Sequence, residues 1–190
     1  MGEPLLNFKG TLSSLKIFTH ELATGLSRHK LTVSTIGIPK RIIELANSGL
    51  RAKLALSLHS TIDEKRSKIM PINKKYKLVD TIDAVKYYSK KTKSRITFEY
   101  TMLKGINDRD EDVKGITKLC NEISAKVNLI PFNSIAHMDP QGISAELVPT
   151  PIDEIVKFAE KLRNNNVTVM IRNTQGKDIA AACGQLAVNY

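Results

Sequence analysis

The sequence predicts an α/β fold, a parallel sheet covered by helices. Three observations carry that expectation. Short apolar runs rich in β-branched residues recur along the chain, stretches with helical spacing lie between them, and glycine, proline or asparagine punctuates the joins. Alternation of this kind links strands through crossovers, so neighbouring strands run parallel.

The elements follow in order. Met1-Gly2-Glu3-Pro4-Leu5-Leu6-Asn7 reads as a turn with no strand before it. Leu12, Leu15, Phe18, Leu22 and Leu26 recur at helical spacing until Gly25 and Ser27 loosen the pattern, which predicts a helix. Residues 30–35 form a short β-branched strand, and Ile36-Gly37-Ile38-Pro39 stops it before a helix carrying Ile42, Ile43, Leu45 and Ala46. After Asn47-Ser48-Gly49, residues 52–59 alternate too little for a half-exposed strand and suit one covered on both faces. Thr61-Ile62-Asp63 predicts a cap on a short basic helix through Met70, and Pro71-Ile72-Asn73 breaks it before a longer helix over Val79, Ile82, Val85 and Tyr88. Residues 95–103, rich in Ile, Thr, Phe and Tyr, are the next strand. Gly105-Ile106-Asn107-Asp108 turns the chain into a helix whose stripe is Val113, Ile116, Cys120 and Ile123, which makes Cys120 a core residue. A strand over 126–130 ends at Pro131. The loop from Phe132 to Pro151 holds His137, Asp139, Pro140 and Gly142, and its length marks it as functional. Ile155, Phe158, Ala159 and Leu162 place a helix after Pro151, and residues 167–171 form the last strand.

With 190 residues and 42% apolar content, the chain is read as one domain over 1–190, enough for one core or for part of a larger barrel. No run of about 18 apolar residues is available to span a membrane, and the N-terminus lacks a signal-peptide pattern, so a cytoplasmic protein is expected. The two cysteines, Cys120 and Cys183, are far apart and have no metal-ligand spacing, so no metal site can be written from this chain. A net charge of +10 makes nucleic acid the leading partner, since excess Lys and Arg neutralises phosphates. Lys74-Lys75-Tyr76-Lys77 and Lys90-Lys91-Thr92-Lys93 serve equally well as solvated helix ends.

In parallel α/β folds, ligands bind at the carboxyl ends of the strands. Standing there are Gly2-Glu3-Pro4, Ser34-Thr35, Ser57-Leu58-His59, Glu99-Tyr100, Pro131-Phe132-Asn133 and the segment after Ile171. That last segment sets Cys183 among small residues, with Ala180, Ala181 and Ala182 before it and Gly184 after it. Its thiol is uncrowded, and Lys177 favours thiolate if the chain folds back. The same residues also read as a short helix capped by Asp178 and ended by Gly184, with Cys183 a small apolar residue.

Gly2-Glu3-Pro4-Leu5-Leu6-Asn7, Ser34-Thr35-Ile36-Gly37, Ser57-Leu58-His59, Pro71-Ile72-Asn73-Lys74, Asn128-Leu129-Ile130-Pro131-Phe132-Asn133 and Ala181-Ala182-Cys183-Gly184-Gln185-Leu186 resemble, in that order, the RlmN/Cfr family. These are radical S-adenosylmethionine enzymes that methylate adenine in ribosomal and transfer RNA, at carbon 2 in RlmN and at carbon 8 in Cfr. The resemblance covers essentially the whole chain and implies the C-terminal portion of a partial (β/α) radical-SAM barrel. It further implies that Gly2 and Glu3 hold the methionine amino group of S-adenosylmethionine, that Ser34, Ser57, Leu58, His59 and Asn133 contact the rest of that cofactor, and that Cys183 carries the methyl group to the base. The implied partners are rRNA, tRNA and an electron donor.

The family's Cys-x3-Cys-x2-Cys motif, which binds its 4Fe-4S iron–sulfur cluster, belongs before Gly2-Glu3, where this sequence has only Met1. The expectation is therefore a fragment of such an enzyme, inactive by itself. Two rivals stand beside it: a non-catalytic RNA-binding remnant, suggested by the charge, and an aldolase-like barrel fragment using Glu99 or a lysine.

Overall fold

The computed structural model describes residues 2–134 and 141–172. Its five strands are β1 (Thr32–Thr35), β2 (Lys53–Ser57), β3 (Ile96–Met102), β4 (Ala125–Pro131) and β5 (Val169–Ile171). They lie in the sheet in the order of the sequence, and every neighbouring pair is parallel. Helix α1 (Phe8–Thr19) precedes β1. The crossovers are α2 (Pro39–Asn47), α3 (Asp63–Ile69) with α4 (Leu78–Thr92), α5 (Asp110–Glu122) and α6 (Ile152–Asn164). Each crossover steps one strand in the same direction, and right-handed crossovers then put all the helices on one face. The result is an unclosed segment of a (β/α) barrel.

Register fixes what each face carries. Leu56 pairs with Phe98, Phe98 with Val127 and Val127 with Val169, and these residues join the buried cluster under the helices. Each such side chain contributes ~1.5–3 kcal/mol by leaving water. The alternate positions point the other way. Ser34, Ala55, Thr97 and Lys126 form one row across four strands, and Ser57, Glu99, Asn128 and Met170 form another. The helix-free face is therefore mostly polar.

Several boundaries differ from the sequence reading. Helix α1 stops at Thr19 because His20 is extended, Thr24 Oγ1 caps the Phe18 carbonyl at 2.7 Å, and Leu22 is 93% exposed. Leu22 and Leu26 match helical spacing without being helical. β2 ends at Ser57, since His59 turns into the left-handed region at φ 54°. Thr61 does not cap α3. Ile62 occupies the cap position, and the buried Thr61 hydroxyl has no partner. On α4 the buried stripe is Leu78, Thr81, Val85 and Tyr88, with Val79 turned to solvent. β5 begins at Val169, two residues later than expected, and the long loop contains a short 3-10 turn over Gly142–Glu146. Cys120 is half-buried against the core, and burial pushes its thiol up to about 11.

Candidate functional site

The carboxyl end of β1 is built around Glu3. The Glu3 carboxylate accepts from Thr35 Oγ1 at 2.7 Å, from the Ile36 backbone N–H at 2.8 Å and from the Leu5 N–H at 3.1 Å. The first two bonds tie the N-terminal turn to a strand 32 residues later, and the third caps that turn (Pro4–Asn7). Thr35 is held in turn, accepting from the Gly37 N–H at 3.0 Å. Gly37 has φ +99°, and a Cβ there would stand 2.5 Å from Thr81 Cγ2, so no other residue fits without a shift.

An open cavity of about 1020 Å³ lies along this edge, lined by Gly2, Glu3, Thr32, Ser34, Thr35 and Ser57 among others. That volume is at the upper end of ligand sites, which run to ~1,000 Å³. A Cβ on Gly2 would meet nothing within 4 Å, so backbone is presented to open space. A second cavity, about 630 Å³, opens between α4 and α5 on the helical side and lacks the polar strand ends.

The carboxyl ends of β1 and β2 are joined by a residue that sequence reading assigned only to a basic helix. Arg66, fully buried, donates from Nη2 to the Ile36 carbonyl at 2.7 Å and to the Ser57 carbonyl at 3.1 Å, and from Nε to the Leu58 carbonyl at 3.1 Å. Its Nη1 bonds Asn73 Oδ1, and Asn73 Nδ2 reaches Asp63 Oδ1 at 2.9 Å. That amide, and then the Leu78 N–H, hold the Asp63 carboxyl below its ordinary range. Burial lowers the Arg66 guanidinium to about 10, which leaves it charged at neutral pH. The Pro71-Ile72-Asn73-Lys74 motif was the available signal for this network, because a buried asparagine needs partners.

His59 sits between β2 and β3. Its Nδ1 accepts from the Thr101 N–H at 3.0 Å, its carbonyl accepts from Asn107 Nδ2 at 2.7 Å, and its own N–H donates to the Glu99 carbonyl. Nδ1 is thus an acceptor and the proton of the neutral ring is on Nε2. Burial first, and then the Arg66 charge, lower its pKa to about 4. Asn107, fully buried, also bonds the Thr101 carbonyl and the Leu103 N–H at 2.8 Å each, fixing this corner.

The expected site residues are therefore placed as follows. Gly2, Glu3, Ser34 and Ser57 share one cavity. Leu58 has its side chain fully buried in the core, and its N–H donates to the Glu99 carbonyl. His59 lies two residues beyond Ser57, between β2 and β3, and Asn133 is half-buried just beyond the end of β4. Cys183 lies outside the described residues, as do His137 and Asp139. Among the described residues no group of three or more His, Cys, Asp or Glu is placed to hold a metal, and no helix is long and apolar enough to cross a membrane. An iron–sulfur cluster does not fit this chain, which has two cysteines where such clusters take more thiolates, and the described one is a half-buried, protonated thiol. S-Adenosylmethionine does fit, because the cavity offers the open backbone at Gly2 and the hydroxyls of Ser34 and Ser57.

Among curated proteins, the chain is 45% identical over 188 residues to the probable dual-specificity RNA methyltransferase RlmN of Thermus thermophilus, covering 99% of this chain and 51% of that protein. It is 42% identical over 187 residues to the protein of the same name from Flavobacterium johnsoniae, covering 98% of this chain and 52% of that protein. The chain thus spans about half the length of the curated relatives it matches. Among solved structures, a radical SAM methyltransferase from Sphaerobacter thermophilus superposes with a TM-score of 0.87 at 34% identity, covering 97% of this chain and 52% of that one. A domain of a pyruvate-formate lyase-activating enzyme from Bacteroides vulgatus, 13% identical, shares the fold with a TM-score of 0.68, covering 91% of this chain and 96% of that one. No protein-family model matches the chain.

Proposed function

The chain is a relative of the RlmN-type RNA methyltransferases across nearly its whole length, and from that kinship we propose that it forms the cofactor-holding part of an enzyme that methylates carbon 2 of adenine in rRNA and tRNA. The observation that supports this best is the convergence of Gly2, Glu3, Ser34 and Ser57, drawn from three parts of the sequence, on one cavity along the β1 edge of a parallel sheet.

In this reading S-adenosylmethionine, when bound, supplies the methyl group and the radical chemistry that an electron-poor carbon bearing an unactivated hydrogen demands. The chain's own residues do the holding. Ser34 and Ser57 offer hydroxyls to the ligand, Gly2 offers backbone that no side chain covers, and Glu3 keeps that turn against β1. Arg66 locks the strand ends so that these groups are pre-positioned. His59, just after β2, and Asn133, just after β4, contact the cofactor further along the sheet. Cys183 would be the thiol that carries the methyl group to the base.

Since the chain does not supply the ligands for an iron–sulfur cluster, the 190 residues by themselves bind the cofactor without turning over. Calorimetric titration of the chain with S-adenosylhomocysteine tests this, together with Ser34→Ala and Ser57→Ala. Saturable one-to-one binding that each substitution weakens is expected. No binding, or binding indifferent to both substitutions, refutes the reading. Anaerobic incubation with iron and sulfide should leave no visible absorption after desalting, and a stoichiometric chromophore would contradict the claim.

A further inference from the structure

Parallel strands in near-level register bring the five strand starts to one end of the sheet, opposite the carboxyl ends where Glu3, Ser57 and His59 stand. Cations gather at that amino end. Arg28 and Lys30 precede β1, Arg51 and Lys53 open β2, and Lys93 and Arg95 precede β3, all six exposed. Register sets them side by side. Lys53 pairs with Thr32, and Ala55 pairs with Thr97, which puts Lys53 level with Arg95. Arg28 and Arg51 line one shallow depression with Leu31 and Leu50. Adjacent strands lie ~4.8 Å apart, so the three strand starts form a band ~10 Å wide.

Two structural explanations fall short. A helix dipole favours cations in a last turn, which accounts for Lys90 and Lys91 at the end of α4. It does not account for these six, which lie outside the α-helices, and α2 and α5 end on the same side with no basic residue in the last turn. Pairing does not account for them either. Every ion pair among the described residues uses other cations, and Glu122, an acid at this end, is taken by Lys86. Of the six, Arg95 has side-chain partners, the Ala125 carbonyl and Thr168 Oγ1, which pin its guanidinium across the starts of β3 and β4 and the join before β5. Unpaired like charges side by side repel one another, so this surface gains most from a polyanion. A lipid surface is anionic too, but joins and helix ends offer no amphipathic helix to lie in an interface.

We propose that the amino end of the sheet is an RNA-binding surface that grips phosphates away from the base to be methylated. The proposal rests on the RNA reading above and adds a surface to it. β2 runs from Lys53 to Ser57, four steps of ~3.3 Å, which sets the two ends ~13 Å apart, so phosphates held here belong to nucleotides other than the one whose base reacts.

Two four-site variants test it, with a stem-loop RNA followed by fluorescence anisotropy over a salt series. One combines Arg28→Gln, Lys30→Gln, Arg51→Gln and Lys53→Gln. The control combines Lys40→Gln, Lys68→Gln, Lys74→Gln and Lys75→Gln, equally exposed and away from the strand starts. Both lose the same charge, so only its placement differs. The amino-end variant is expected to bind tenfold or more weakly at fixed salt, with a log–log salt slope shallower by ~3, since each lost phosphate contact removes ~0.7–0.9. The control is expected to keep the wild-type slope. Equal losses in the two variants mean that net charge alone acts and overturn the proposal, as does a loss confined to the control or RNA binding that neither set weakens. Footprinting needs no variant: RNA should protect Lys30 and Lys53 of the wild-type chain from acetylation more than Lys74 and Lys75, and the opposite pattern overturns the proposal. Sedimentation with phosphatidylglycerol vesicles that the amino-end variant loses, while its RNA binding is unchanged, overturns it in favour of a lipid surface. S-Adenosylhomocysteine should bind the amino-end variant as it binds wild type. If that titration succeeds and the RNA result fails, this proposal falls and the cofactor reading stands; the reverse outcome removes the cofactor reading alone.

Discussion

His59 should make the fold sensitive to mild acid. Its pKa in the folded chain, about 4, lies below the ordinary 6.5, so the unfolded chain binds more protons between those values and stability falls as pH drops through that window. The geometry agrees, since protonating Nδ1 would aim a second N–H at the Thr101 N–H that it now accepts at 3.0 Å. The full gap is worth ~3 kcal/mol, and pH 5 still lies above the folded value of about 4, so ~1–2 kcal/mol should be lost between pH 7 and pH 5. The control is His59→Asn. Asparagine places an acceptor where Nδ1 stands and tolerates the left-handed backbone at φ 54°, but does not titrate. Urea unfolding at pH 7, 6 and 5 should therefore show the two proteins within ~1 kcal/mol of each other at pH 7, with the wild type losing more on acidification. Other groups titrate equally in both, so the difference isolates His59. Parallel stability curves for the two proteins would refute the argument.

Three further outcomes are expected. Arg66→Met removes the donor that three carbonyls and Asn73 share, and should cost ~3–5 kcal/mol in urea unfolding, the avoided burial of a charge offsetting part of the loss. A cost under ~1 kcal/mol would show that the carbonyls find water instead. Gly37→Ala, with its Cβ driven toward Thr81 at positive φ, should cost ~2–3 kcal/mol, and Thr81→Ser in the same chain should recover part of it by removing the methyl group that clashes. RNA binding by the +10 chain should weaken steeply with salt and show little preference among stem-loops, measured by fluorescence anisotropy; salt-independent, sequence-selective binding would contradict it.

The sequence by itself determined the architecture. Short β-branched runs alternating with helical stripes left parallel neighbours as the economical solution, and the five strands form where those runs lie. It also placed Ser34, Ser57 and Asn133 near strand ends, because a strand's end is a local property where Gly37 or Pro131 marks it, whereas the run at β2 reads on to His59 and the structure ends it at Ser57. What it left open were the partners. Arg66 belongs to the segment Asp63-Glu64-Lys65-Arg66-Ser67-Lys68-Ile69, whose composition is that of a solvated helix, yet Arg66 is the residue buried completely. Its acceptors, the carbonyls of Ile36, Ser57 and Leu58, come together only once β1 and β2 pair. Likewise Glu3 finds Thr35 across 32 residues, and Glu99 meets Asn128 only because β3 and β4 adopt one register and no other. Periodicity states which face of an element turns inward. Which distant group it meets there depends on how the elements dock, and burial then obliges every polar group to find a partner among whatever docking has supplied.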